Sequence, residues 1–138
     1  MEASIVTKAE VFCRDRWRCR WCGTPVLLPR SVRLLDFELE SVGASERYYH
    51  ANWERSKSPL LDALGAIACQ VGPDFSDAPD NFATSCNRCF IGGRTASKSG
   101  PISEDKTWDG FAAVFTVLAQ RYRSKLTNDD RGWVKALS

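Results

Sequence analysis

The sequence predicts a small α+β domain, on three observations. Two Cys-x-x-Cys pairs, Cys19/Cys22 and Cys86/Cys89, lie far apart in the chain. A short apolar run, Ala66 to Val71, suits a buried strand, and Trp108, Phe111, Phe115, Leu118 and Tyr122 recur at the three- and four-residue steps of a helix. With 138 residues and 43% hydrophobic content the chain fits one domain, residues 1–138, with a modest core. Residues 1–102 read as the metal-bearing α/β part and 103–138 as a helical C-terminal extension packed on it.

The elements follow in order. Thr7 and Glu10 have the spacing of a capping box, so a short helix with an apolar face of Ala9, Val11, Phe12 and Cys13 is expected to run to about Arg16. Cys13 then belongs to the core. Arg18 to Pro25 has the form of a metal knuckle: two thiols three positions apart, then Gly23, which tolerates the positive φ of a tight turn. Val26 to Leu28 reads as a strand leaving it. Residues 31–39 fit helix or strand, and periodicity does not decide between them. Tyr48 to Trp53 is rich in aromatics, and Pro59 to Gly65 reads as a short helix ended by its glycine. Gly72 to Asp80, with two prolines and several aspartates, is a loop. Cys86-Asn87-Arg88-Cys89 is placed at a helix start, 92–101 is polar and irregular, and the helix with the aromatic stripe begins at Thr107-Trp108-Asp109. Thr127 and Asp130 cap a last short helix carrying Trp133 and Leu137.

Four thiolates in two such pairs match the tetrahedral, sulfur-rich preference of Zn²⁺, because a two-residue spacer sets both sulfurs on one side of a turn. The stretch from Cys22 to Cys86 is far longer than the roughly 15 to 20 residues of a simple ribbon, so a hairpin or small subdomain must fill it. A thioredoxin-type redox disulfide is the competing reading, but there are two pairs and no βαβ pattern around either. A four-thiolate site is closed, so this zinc is expected to hold the fold and not to do chemistry.

Nineteen basic against 17 acidic residues give a charge of +2, which excludes a dedicated nucleic-acid-coating protein. Contact with DNA or RNA would need a local patch. The best candidate is Arg14, Arg16, Arg18 and Arg20 interleaved with Trp17 and Trp21, extended by Arg88 and Arg94; a solvated arginine face is the alternative. Glu2 and the lack of an apolar stretch after it do not fit a signal peptide. The longest apolar run, Phe111 to Ala119, falls short of the roughly 20 residues that span a bilayer. A cytoplasmic protein with no membrane contact and reduced cysteines is expected.

These residues carry a resemblance. Arg14 to Gly23 is similar to the opening knuckle of the bacterial, zinc-knuckle type of HNH endonuclease, and Asp80 to Cys89 is similar to that family's asparagine-bearing loop and second knuckle. Tyr49 to Trp53, Trp108 to Phe111 and Arg131 to Trp133 resemble flanking segments of one branch. The resemblance implies a ββα-metal core on a treble-clef-like zinc scaffold with flanking N- and C-terminal helices. It also implies an Asp-His pair at the end of the first core strand, the histidine activating water and the aspartate helping to bind a second, catalytic divalent ion. An asparagine orients that histidine, and a His or Asn after the last cysteine completes the site. Here the strand reads Ala66-Ile67-Ala68-Cys69-Gln70-Val71, so Ala68-Cys69 or Cys69-Gln70 replaces the pair. Phe90 follows Cys89, the usual Pro and Gly-Gly of the loop are missing, and Asn81 alone remains.

A pseudo-nuclease is therefore expected, one that keeps the fold and binds nucleic acid or a protein partner without cleaving phosphodiesters. Two alternatives stand beside it. His50, the only histidine, could serve as a displaced base, with Asn81 orienting it and Asp74 or Asp77 on a second divalent ion; its plainer role is as a hydrogen-bonded member of the aromatic cluster. Otherwise Cys69 and His50 could form the site of an enzyme of another class, against the plainer reading of Cys69 as a small buried hydrophobe.

Overall fold

A computed structural model describes residues 2–41, 63–73 and 76–138. The expectations placed on Tyr48 to Trp53, including His50, and on Asp74 lie outside these residues, as does most of the helix expected over 59–65.

The first helix, α1 (Ile5–Arg14), begins three residues earlier than the Thr7/Glu10 spacing implied. Ser4 is the cap: its hydroxyl accepts from the Thr7 N–H, and the Ser4 N–H donates to Asp77 Oδ1 at 2.9 Å. Thr7 is a buried residue of the first turn, and its hydroxyl donates to the Asp77 carbonyl. Cys13 is exposed rather than in the core, because Val11 and Phe12 take the inward face of α1. Two consecutive residues in the left-handed region, Arg16 (φ 58°) and Trp17 (φ 56°), turn the chain out of α1 and fold Trp17 beneath Phe12, with ring centroids 5.5 Å apart.

The strand expected at Val26 to Leu28 is reduced to isolated bridges, Arg18 with Pro25 and Leu27 with Gly65. Pro25 has no N–H to donate, and Pro29 starts the next helix only four residues on, so no ladder can extend. That helix, α2 (Pro29–Ser41), settles the ambiguity of residues 31–39.

Strands β1 (Ala66–Gln70) and β2 (Phe82–Cys86) pair antiparallel, Ala66 opposite Cys86 and Gln70 opposite Phe82. The strand expected to be buried, β1, is only partly so. In β1 only Ala66 is buried, whereas every residue of β2 is. The reason is that β2 is bonded along both edges: β1 covers one, and on the other Thr84 donates its N–H to Asp15 Oδ2 at 2.8 Å and accepts from the Arg20 N–H at 2.9 Å. Between the strands a 3₁₀ turn, Pro79–Asn81, closes the loop. Gly72 is required there, since a Cβ would lie 2.2 Å from Asn81 Oδ1.

β2 runs straight into α3 (Asn87–Ile91), followed by a 3₁₀ turn at Arg94–Ala96. The aromatic-stripe helix, α4 (Phe111–Arg121), starts after a turn at Thr107 to Gly110, later than expected. The last helix, α5 (Asn128–Leu137), carries the expected capping box: Thr127 and Asp130 exchange side-chain to backbone hydrogen bonds in both directions.

The described residues thus form a mixed α+β fold with a small two-stranded sheet. α5 packs on α1, and α4 on α2 and α5. One apolar core runs from Ala3 through Val11, Phe12, Trp17 and Val26 to Phe82, Phe115 and Trp133. Phe12 and Trp133 stack with centroids 6.1 Å apart and planes 6° apart. Burial of such aromatics at roughly 1.5–3 kcal/mol each ties the C-terminal helix to the N-terminal one. Among the described residues no helix is long and apolar enough to cross a membrane.

Candidate metal centre

The first knuckle hangs from the end of α1. Gly23, at φ 77°, donates its N–H to the Cys19 carbonyl, and Cys19 donates its own to the Thr24 carbonyl, closing the turn between the two thiols. The second pair sits where β2 becomes α3, with the Cys86 side chain as the helix cap accepting from the Cys89 N–H. Because Arg20 and Asp15 clamp the knuckle to Thr84, the two pairs are brought face to face.

All four sulfurs, of Cys19, Cys22, Cys86 and Cys89, lie within 4.8 Å of one another, and Cys22 Sγ is 3.8 Å from Cys86 Sγ. A tetrahedron with Zn–S bonds of about 2.3 Å has edges of about 3.8 Å, whereas a disulfide needs about 2.05 Å. The spacing is close enough to hold an ion and too wide for a disulfide. Backbone N–H groups point at the sulfurs, Trp21 to Cys19 Sγ at 3.4 Å and Cys89 to Cys86 Sγ at 3.3 Å, as befits thiolates. Burial pushes the Cys19 thiol up, but N–H donors at Cys86, Cys22 and Trp21 outweigh it and bring it down to about 7. Burial leaves the Cys86 and Cys89 thiols raised. A cation at the centre would make four thiolates at this spacing electrostatically acceptable. The cluster fits a structural zinc, with all four positions of a tetrahedron filled by the chain.

The other expected site residues are placed as follows. Cys69 is half-buried on β1 opposite Ala83, and burial raises its thiol despite a hydrogen bond with Thr95, so it is a weak nucleophile at neutral pH. Asn81 is buried, and its Nδ2 donates to the Ser76 carbonyl and Oγ, both at 2.8 Å, while its own carbonyl receives the Val71 and Gly72 N–H groups. It braces the loop. Asp77 is engaged with Ser4 and Thr7 at the start of α1. Phe90 is exposed and offers no ligand atom.

The arginines of the first knuckle are held by the chain's own oxygens. Arg14 bonds Asp15 through both its Nε and Nη2 and also reaches the Pro79 and Phe82 carbonyls. Arg16 pairs with Asp109, Arg18 with Asp105, and Arg20 with Asp15 and the Gly100 carbonyl. Trp21 donates its indole N–H to the Ser97 carbonyl at 2.9 Å. Arg88 and Arg94 differ. Both are exposed, have no acidic partner among the described residues, and line a cleft of about 440 Å³ with Cys22, Thr24, Cys86 and Cys89. The buried Asp15 is the structural anchor that no local pattern in the sequence announces, whereas Asp130, expected as a cap residue, is in addition buried against Arg30 and Arg33.

No family model matches the chain, and neither a curated protein nor a solved structure matches it.

Proposed function

We propose that the protein is a zinc-held, HNH-like module that binds nucleic acid and does not cleave it. The observation that carries this reading is the strand-loop-strand-helix unit β1–β2–α3 with a four-sulfur cluster at its base, joined to the absence of a general base at the positions where such a unit does its chemistry. Cys69 is a raised thiol, Asn81 is spent on Ser76, and Phe90 cannot ligate. A thiol and an amide are poor ligands for a hard Mg²⁺-like ion, and neither is a water-activating base.

The nucleic-acid surface is assigned to α3 and the turn after it, in place of the first-knuckle arginines. From Asn81 to Ser103 the chain has three cations, Arg88, Arg94 and Lys98, and no acid, which leaves the rest of the +2 chain at −1. Phe90 and Ile91 are exposed on the same helix, offering surface against which bases or sugars can pack. Zinc with four thiolates carries a charge of −2, which Arg88 and Arg94 also offset. For exposed pairs that effect is about 0–1 kcal/mol, against about 10 kcal/mol for structural zinc, so the arginines are free to serve a ligand without endangering the metal.

The test is retention of duplex and single-stranded oligonucleotides across a salt series, with a plasmid incubated in Mg²⁺ or Mn²⁺ alongside. The reading expects salt-sensitive binding and intact plasmid. It expects Arg88→Glu with Arg94→Glu to keep the zinc, lower affinity at least tenfold and reduce the salt slope by about 1.8, at about 0.9 per phosphate contact on duplex DNA. Metal-dependent scission that disappears in His50→Ala would replace it with the displaced-site nuclease.

A further inference from the structure

The four sulfurs are not equivalent. Cys19, Cys86 and Cys89 are 3%, 1% and 6% exposed, whereas Cys22 is open to solvent. Cys22 also lies on the cleft shared by Thr24, Arg88 and Arg94. Its sulfur lies 3.8 Å from Cys86 Sγ and within 4.8 Å of the other two sulfurs, while the sulfurs of Cys19 and Cys86 each receive a backbone N–H, from Trp21 and Cys89. A thiolate with fewer N–H donors keeps more electron density and reacts faster with electrophiles. The most reachable of the four sulfurs has the Cys86 thiol 3.8 Å away as a partner.

We propose that Cys22 is an oxidation site at which hydrogen peroxide converts the metal cluster into a Cys22–Cys86 disulfide with loss of zinc. The Cys22 sulfur attacks one peroxide oxygen; the S–O bond forms, the O–O bond breaks, and hydroxide leaves and is protonated to water. Sulfur is oxidised by two electrons and the peroxide is reduced. The Cys86 thiolate then attacks the Cys22 sulfur, the S–S bond forms, and the S–O bond breaks to release a second hydroxide, which takes up a proton. Two thiolates, one peroxide and two protons give one disulfide and two waters. Only Cys19 and Cys89 remain as ligands, too few to retain the ion. Because Cys86 both ends β2 and caps α3, the face bearing Arg88 is disassembled in the same event. The inference rests on the zinc assignment above.

The experiment treats the metal-loaded protein with hydrogen peroxide, follows released zinc with a chromogenic chelator, blocks residual thiols, and maps disulfides by peptide mass spectrometry. Zinc release in step with a Cys22–Cys86 bond, reversed by dithiol reductant and added zinc, is the expected result. Zinc retained under peroxide, or released while Cys22 is still a free thiol, overturns it. Cys22→His keeps a four-ligand zinc site and removes the exposed sulfur. Release from it should be at least tenfold slower, and an equal rate overturns the proposal. If that variant does not hold zinc, the disulfide map of the unaltered protein decides. Metal content before oxidation separates the two levels: protein isolated without zinc removes the premise as well, while a zinc-loaded protein that resists peroxide removes this inference alone.

Discussion

Asp15 shows how one buried carboxylate positions the sulfur cluster. Its side chain is wholly buried, and its oxygens receive Arg14, Arg20 and the Thr84 N–H. Arg14 and Arg20 are themselves mostly buried, at 28% and 18% side-chain exposure, so removing the acid strands two guanidiniums and a backbone donor. Asp15→Ala should destabilise the fold by about 3 kcal/mol, at the lower end for breaking buried charge networks, read as a shift of the urea midpoint with unchanged slope. A change under about 0.5 kcal/mol would show that the clamp is ornamental. None of this could be read from Arg14-Asp15-Arg16 alone. An alternation of charges is usually a solvated face, and only the approach of Thr84, 69 positions away, makes Asp15 a core residue. The turn at Arg16 and Trp17 was equally hidden, since positive φ there is carried by residues that rarely adopt it, with no glycine as a signal.

Among the elements, both terminal helices depend on caps, and their legibility differs. The Thr127/Asp130 box is local, and its spacing was readable; Thr127→Ala should cost about 1 kcal/mol in thermal or urea unfolding. Asp130 goes further, receiving Arg30 at 3.0 Å and also Arg33, so α5 is pinned to the start of α2 as well as capped. At α1 the cap is Ser4, supported from the distant loop by Asp77, a partner no local pattern announces. The bond from the Ser4 N–H, joined by the Ser4 side chain, holds the exposed Asp77 carboxyl below its ordinary value of 3.8. A carboxyl with a depressed folded-state pKa adds stability that is present above the ordinary value and lost as pH falls through the folded one. Asp77→Asn should therefore lower the melting midpoint at pH 7, with the difference from the parent closing on acidification below pH 3.8; a gap independent of pH would contradict the assignment. The burial of β2 was not legible, because its second edge is covered by the knuckle and not by a strand.

For the whole molecule, the sulfur cluster belongs to the core. Cys19, Cys86 and Cys89 pack in the same apolar cluster as Phe12, Trp17 and Phe82, so loss of a metal bound there would not remain local. Zinc worth about 10 kcal/mol is comparable with the whole stability of a small domain, about 5–15 kcal/mol. A strong chelator should abolish cooperative unfolding, and added zinc should restore it; Cys19→Ser should behave like the chelated protein. The pairing of Cys19/Cys22 with Cys86/Cys89 was the most legible feature of the sequence, because thiol spacing is chemistry that survives any uncertainty about the intervening chain. The arginine surface was the least legible. Composition counts Arg14, Arg16, Arg18, Arg20, Arg88 and Arg94 alike, and only the fold reveals that the first four are matched with acids or carbonyls while the last two have no acidic partner among the described residues.

Metal analysis of the purified protein combined with zinc-edge X-ray absorption reads the contents of the sulfur cluster directly. One zinc per chain, surrounded by four sulfurs at about 2.3 Å, is the expected result. A cooperatively folded protein that contains no zinc and has all four thiols free to react would contradict it.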